Sequence, residues 1–322
     1  MRKSETRPAA AWSIHTTRDA ATASVHSDDA NVQRFLAAAH ADNTLRAYAS
    51  DLRHFMNWGG MLPATPESIA RYLAHFATRL SSATLTRRVT ALGRAHEQRG
   101  LQSPTDSELV RATLHGIKRA LGSAQRQVAP LLKQDIVRMV RGLSGHVGLR
   151  DRALLLVGFC GALRRSELIG LDVADVTFVE EGVLLRLRRS KTDQIGQGRV
   201  VAVPRASGRQ CAVRALQAWL AAAQLTSGPV FRRVDRYGNV TSQRLSAQSV
   251  ALIVKRLASA AGLDARQYAG HSLRAGFATH AARAGASAMS IRAQTGHKSD
   301  AMLQRYIRDA ELFRDNPNRR IW

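Results

Sequence analysis

Apolar residues recur along this chain of 322 residues with a helical period, and at one place, between residues 182 and 204, the period changes to two. There GVLLRLRRS alternates like a strand, KTDQIGQG is a turn-rich connection and RVVAVP is a second strand. Together they predict a β-hairpin with a long tip. Helical patterns surround it: LLKQDIVRMVRGL, LRDRALLLVGFCGAL and RRSELIGL lie before, RQCAVRALQAWLAAAQL and LSAQSVALIVKRLASAAG after. A hairpin set among so many helices restricts the fold to mainly α with a small antiparallel β-sheet, an α+β class.

The length fits two domains. Residues 1–30 are rich in Ala, Ser, Thr and Asp without a sustained period and read as a flexible tail. From residue 31 to 122 three or four short helices follow, the first carrying Leu45, Tyr48, Leu52, Phe55 and Trp58 at helical spacing. Pro63, Pro66 and Glu67 open the next, SSATLTRRVTALGRAHEQRG starts on Ser/Thr caps and ends at Gly100, and SELVRATLHGIKRALG closes at Gly122. The polar SAQRQVAP, residues 123–130, is the linker, and 131–322 form the second domain.

Charge narrows the partner. With 48 Lys+Arg against 24 Asp+Glu, a formal charge of +24 and a pI near 11.5, the chain calls for a polyanion, nucleic acid first and an acidic membrane surface second. Residues 121–322 hold 32 basic and 14 acidic side chains, a net of +18, and residues 31–120 hold 12 and 6, a net of +6. Six lysines against 42 arginines suit bidentate phosphate recognition and equally suit a biased genome. Arg87, Arg88 and Arg94 are DNA-binding candidates in the first domain, with a solvated helix face as the alternative. The apolar run 153–163 is too short to span a bilayer and no signal-type apolar core opens the chain, so an intracellular protein is expected. Cys160 and Cys211 lack disulfide or zinc spacing and read as reduced core thiols.

The residues that carry chemistry lie in the second domain. A phosphodiester under attack gains negative charge on its non-bridging oxygens, which a metal-free catalyst meets with fixed cations. Arg164, Lys191 and Arg274 are candidates, with Glu167 one helical turn beyond Arg164 to orient a neighbour. His271 stands three residues before Arg274 on a helical pattern and can relay a proton. His297 precedes a Ser299/Asp300 cap for a short helix carrying Tyr306, whose phenol can attack phosphorus and keep the bond energy in an ester. Each of these residues, taken alone, also suits a structural role.

Their order changes that balance. Arg164 in GALRRSEL, Lys191 in SKT, His271 and Arg274 in GHSLRAGFATHAARAG, and His297 and Tyr306 in TGHKSDAMLQRYIR closely resemble the motifs of the tyrosine recombinase (phage integrase) family, including Cre-type enzymes. NTLRAYASDLRHFMNW resembles the opening helix of the family's core-binding domain, so the likeness covers nearly the whole chain. Ala162 departs from the glycine that many members place before the Leu-Arg pair.

The resemblance implies that Arg164 and Arg274 clamp the scissile phosphate, Lys191 protonates the 5′-hydroxyl leaving group and Tyr306 is the nucleophile. It further implies His271 as general acid/base, His297 as a hydrogen-bond partner of the phosphate and Glu167 as support from behind. It implies a helical core-binding domain and a catalytic domain closing as a C-shaped clamp on double-stranded DNA, with inverted repeats around a spacer. Four protomers would recombine two sites through a Holliday junction, with no metal and no cofactor, in the bacterial cytoplasm on the nucleoid. The tail AELFRDNPNRRIW would dock on a neighbouring protomer. A type IB topoisomerase-like relaxing enzyme and a non-catalytic DNA-binding regulator on the same fold are the alternatives.

Overall fold

The computed structural model describes residues 31, 42–122, 128–188, 198–297, 318 and 321. The chain divides into two compact units, residues 1–126 and 127–322. In the first, apolar spacing and caps set, over residues 42–122, α1 (Asp42–Asn57), α2 (Pro66–Phe76), α3 (Ser82–Glu97) and α4 (Glu108–Leu121). Thr65, Ser81 and Ser107 accept from the backbone N–H groups of Ser68, Thr84 and Val110 at 3.3, 3.2 and 3.3 Å, filling donors that a helix start leaves open. Pro66 fits at the start of α2 because no helical partner awaits its missing N–H. Phe55, Ile69, Tyr72, Leu73, Leu85, Leu92 and Val110 form the core. Leu45 keeps the period of α1 and is nevertheless exposed.

One expectation is corrected here. Arg88 does not face solvent: it is 8% exposed and donates to the Tyr72 hydroxyl at 2.6 Å and to His54 Nδ1 at 2.7 Å. Its Nε lies 3.5 Å from Asp51, which also takes two bonds from Arg87 at 2.7 and 2.8 Å. Burial first, then the Arg88 charge, lowers the pKa of His54, so the ring stays neutral and accepts. A helical period does not tell which arginine turns inward, and here the buried Asp51 requires one. Arg87 and Arg94 keep half-exposed side chains, paired with Asp51 and Glu97. Arg88→Ala is expected to lower stability by about 3 kcal/mol, as breaking a buried ion pair does, whereas Arg94→Ala leaves it unchanged; urea unfolding of both variants measures the contrast.

The second unit is built on α6 (Gly145–Cys160), preceded by α5 (Lys133–Met139) and followed by α7 (Arg165–Gly170). Residues Ala153, Leu154, Leu155, Leu156 and Val157 of α6 are all buried, as expected of a helix packed on every side. Inside it Asp151, fully buried, accepts from Arg150 at 2.7 and 2.9 Å and from Arg256. Burial pushes the Cys160 thiol up to about 11, and neither Cys160 nor Cys211 is in a disulfide.

Strands β1 (Val176–Phe178), β2 (Gly182–Leu187) and β3 (Arg199–Pro204) form an antiparallel sheet in that order. The register sets Leu185 between Val176 and Val201, so Val183, Leu185, Val201 and Val203 enter the core together. The predicted hairpin is β2–β3, while its tip, with Lys191, lies outside the described residues. A second sheet, absent from the sequence reading, pairs β4 (Arg232–Val234) with β5 (Val240–Arg244). Their residues, RRV and VTSQR, are largely polar and only partly buried, so no alternation marks them.

Helices α8 (Ala212–Ala222) and α9 (Ala247–Ala260) lead to α10 (His271–Arg283) and α11 (Ala288–Thr295). Among the described residues no helix is long and apolar enough to cross a membrane. Helix α10 packs on α6, and its Gly276 lies against the backbone of Leu131, where a Cβ would come within 1.8 Å of the Leu131 carbonyl oxygen. Gly276→Ala must therefore move one backbone or the other, and thermal unfolding is expected to show a loss of about 3 kcal/mol.

Candidate active site

After α6 the chain turns through Gly161 and Ala162, the latter at φ 50°, and Arg164 caps the start of α7. Glu167, one turn on, reaches back: its carboxylate accepts from the Arg164 backbone N–H at 2.9 Å and from Arg164 Nη1 at 2.6 Å. The Glu167 side chain is fully buried and that of Arg164 is 16% exposed, so this charge-assisted pair is largely shielded from solvent. Arg164 Nη2 donates to the Gly296 carbonyl at 3.3 Å, tying α7 to the residue before His297.

Arg274, 1% exposed on α10, donates through Nη1 to the Ala162 carbonyl at 2.9 Å. His271 opens the same helix and is exposed. His297 is buried, with Nδ1 at 2.9 Å from Thr295 Oγ1. Burial, then the charges of Arg274, Arg164, His271 and Arg199, depress its pKa to about 4. The structure thus brings Arg164, Glu167, Arg274 and His297 together, with His271 near enough to act on His297 electrostatically. Lys191 and Tyr306 lie outside the described residues.

One participant was missed. Arg199, the first residue of β3, donates to the carbonyls of Gln294 at 2.9 Å, Thr295 at 3.3 Å and Ala293 at 3.4 Å, and lies 3.7 Å from Glu167. It closes the C-terminal end of α11, where carbonyls lack helical partners and a cation is favoured. Burial, opposed by Glu167 and aided by Arg164, lowers its pKa. Gly296 at φ 66° leaves room for it, since a Cβ there would sit 3.0 Å from its guanidinium. The only trace in the sequence is an arginine opening an otherwise apolar strand.

Fixed guanidinium groups around a neutral imidazole suit an anion whose charge grows during reaction, because the donors are already oriented and dry. Residues 130–312 match the Phage integrase family. The chain belongs to that family. An integrase/recombinase xerD homolog of Selenomonas ruminantium is 42% identical over 301 residues, spanning 90% of this chain and 88% of the relative. Two solved structures share the fold. XerH site-specific recombinase in a post-cleavage complex with palindromic difH substrate has a TM-score of 0.62 at 18% identity, over 83% of this chain and 76% of XerH. A lambda integrase tetramer bound to a Holliday junction has a TM-score of 0.60 at 19% identity, over 88% and 76%.

The burial of His297 in this member of the phage integrase family has a consequence for stability. Its folded pKa of about 4 lies below the ordinary 6.5, so the unfolded chain binds the proton first. The contribution of His297 is present above pH 6.5 and is lost as pH falls from there toward 4. Urea unfolding across this range is expected to show that loss, and His297→Asn to lack it.

Proposed function

We propose that this chain is a site-specific DNA recombinase that breaks and rejoins duplex DNA through a 3′-phosphotyrosyl intermediate. The observation that carries the reading is the convergence of the Arg164 and Arg274 guanidinium groups on the neutral ring of His297 in one buried cluster, with a carboxylate placed to orient rather than to coordinate. Arg164 and Arg274 hold the non-bridging oxygens of the scissile phosphate. The Tyr306 hydroxyl oxygen attacks phosphorus and its proton passes to His271. The P–O bond to the 5′ oxygen breaks, and Lys191 supplies the proton that makes it a hydroxyl. His297 hydrogen-bonds the phosphate, and Glu167 keeps Arg164 in place. Attack by a 5′-hydroxyl from the other duplex reverses these steps, and because the ester preserves the bond energy the cycle needs no cofactor.

In this reading residues 31–122 are the DNA-clamp domain, 123–130 the linker and 131–322 the catalytic domain, and the partner is double-stranded DNA. Arg87 and Arg94 are its outward cations. Four protomers act on two sites with inverted repeats, through a Holliday junction, and the tail of residues 310–322 docks on the neighbouring protomer. The work is done in the bacterial cytoplasm, on nucleoid DNA.

The test is a nicked suicide duplex built from inverted repeats in the DNA that flanks the gene. Wild type is expected to form a covalent protein–DNA adduct and Tyr306→Phe none. An inert wild type would favour a DNA-binding regulator, relaxation of plasmid lacking the site a topoisomerase, and an adduct with the Phe variant another nucleophile.

A further inference from the structure

Thr295 ends α11 and is fully buried two residues before His297. Its hydroxyl has one proton and three neighbours: the Ile291 carbonyl oxygen at 2.7 Å, His297 Nδ1 at 2.9 Å and, farther off, the Arg292 carbonyl oxygen at 3.4 Å. A carbonyl can only accept, so the short contact to Ile291 takes the hydroxyl proton, a backward bond common for threonine in helices. The Thr295 oxygen is then an acceptor toward the ring, and His297 carries its hydrogen on Nδ1. In the neutral ring Nε2 is left as the basic nitrogen, which cannot donate to a phosphate oxygen.

We propose that Thr295 is a positioning residue that locks His297 in the Nδ1–H tautomer, so that this histidine donates to the scissile phosphate only after taking up a proton. The proposal rests on the recombinase reading and adds a step to it. As DNA enters, a solvent proton adds to Nε2, the ring becomes an imidazolium, and an Nε2–H···O bond to a non-bridging oxygen forms. Among the described residues, the titratable and charged groups that act on the ring are Arg274 and His271 from α10, Arg164 before α7 and Arg199 from β3. All are cations or can become so, and with burial they keep the ring neutral in the free protein, where its pKa is about 4. The phosphate anion opposes them, and its arrival is what makes uptake favourable. Without the Thr295 oxygen the ring is free to carry its hydrogen on Nε2 and to donate while neutral.

Two measurements on the full chain decide this. Histidine ¹⁵N spectra at pH 7.5, with His297→Asn to assign the signal, are expected to show Nδ1–H in wild type and in Thr295→Ser. In Thr295→Val, which keeps the volume, Nε2–H is expected. A wild-type ring protonated on Nε2, or a Val variant that keeps Nδ1–H, overturns the proposal. On the suicide duplex, the rate of adduct formation in wild type and Thr295→Ser is expected to fall up to tenfold more per pH unit above neutrality than in Thr295→Val. Parallel profiles for all three proteins overturn it. If none of them forms an adduct, it is the recombinase reading that fails, and the spectra still decide the tautomer.

Discussion

One buried carboxylate holds the second unit's site together. Glu167 has no exposed side-chain surface, and an ionised carboxyl removed from water is tolerated only when cations and N–H groups surround it. Arg164 meets it from the same turn and Arg199 from a strand 32 residues away in sequence. Arg199 in turn gathers the carbonyls that end α11. The start of α7, the start of β3 and the end of α11 therefore meet where they do because a single negative group needs them there.

Among the described residues, that arrangement sets more cations than carboxylates in the site. Arg164, Arg199 and Arg274 crowd around one carboxylate and a neutral His297, a composition that repels itself in a poorly solvated interior. The fold contains the repulsion with backbone oxygens. Ala162, Gly296, Gln294 and Thr295 lend carbonyls to guanidinium hydrogens, satisfying them without cancelling the net charge. Such a perturbed cluster of charge is what marks a candidate site off from an ordinary ion-pair network.

The sequence carried most of this fold where a period or a motif was strong. The helix boundaries of the first unit are written in Thr65, Ser81 and Ser107, and the β2–β3 hairpin in its change of alternation. Strands β4 and β5 were illegible because polar residues at a half-exposed edge show no contrast. Arg88 was misread because burial of a charge depends on partners from other helices, here Asp51, His54 and Tyr72, which no local pattern announces. Arg164, Glu167, Arg274 and His297 were legible only as a set, through family likeness. Arg199 and Thr295 belong to no such set: their parts in the site arise from contacts made after folding, with backbone atoms and a ring that sequence spacing does not relate.

Ala162 shows how such a site constrains variation. The Arg274 guanidinium is fastened to its carbonyl oxygen, an atom every amino acid supplies, so no substitution at 162 removes the ligand itself. What a substitution changes is the readiness of the backbone to adopt φ near 50°, a conformation open to glycine, tolerable for alanine or asparagine and hostile to valine or isoleucine. Drift at this position is filtered by shape rather than chemistry. A small residue put in place of Ala162 would keep the oxygen that Arg274 holds.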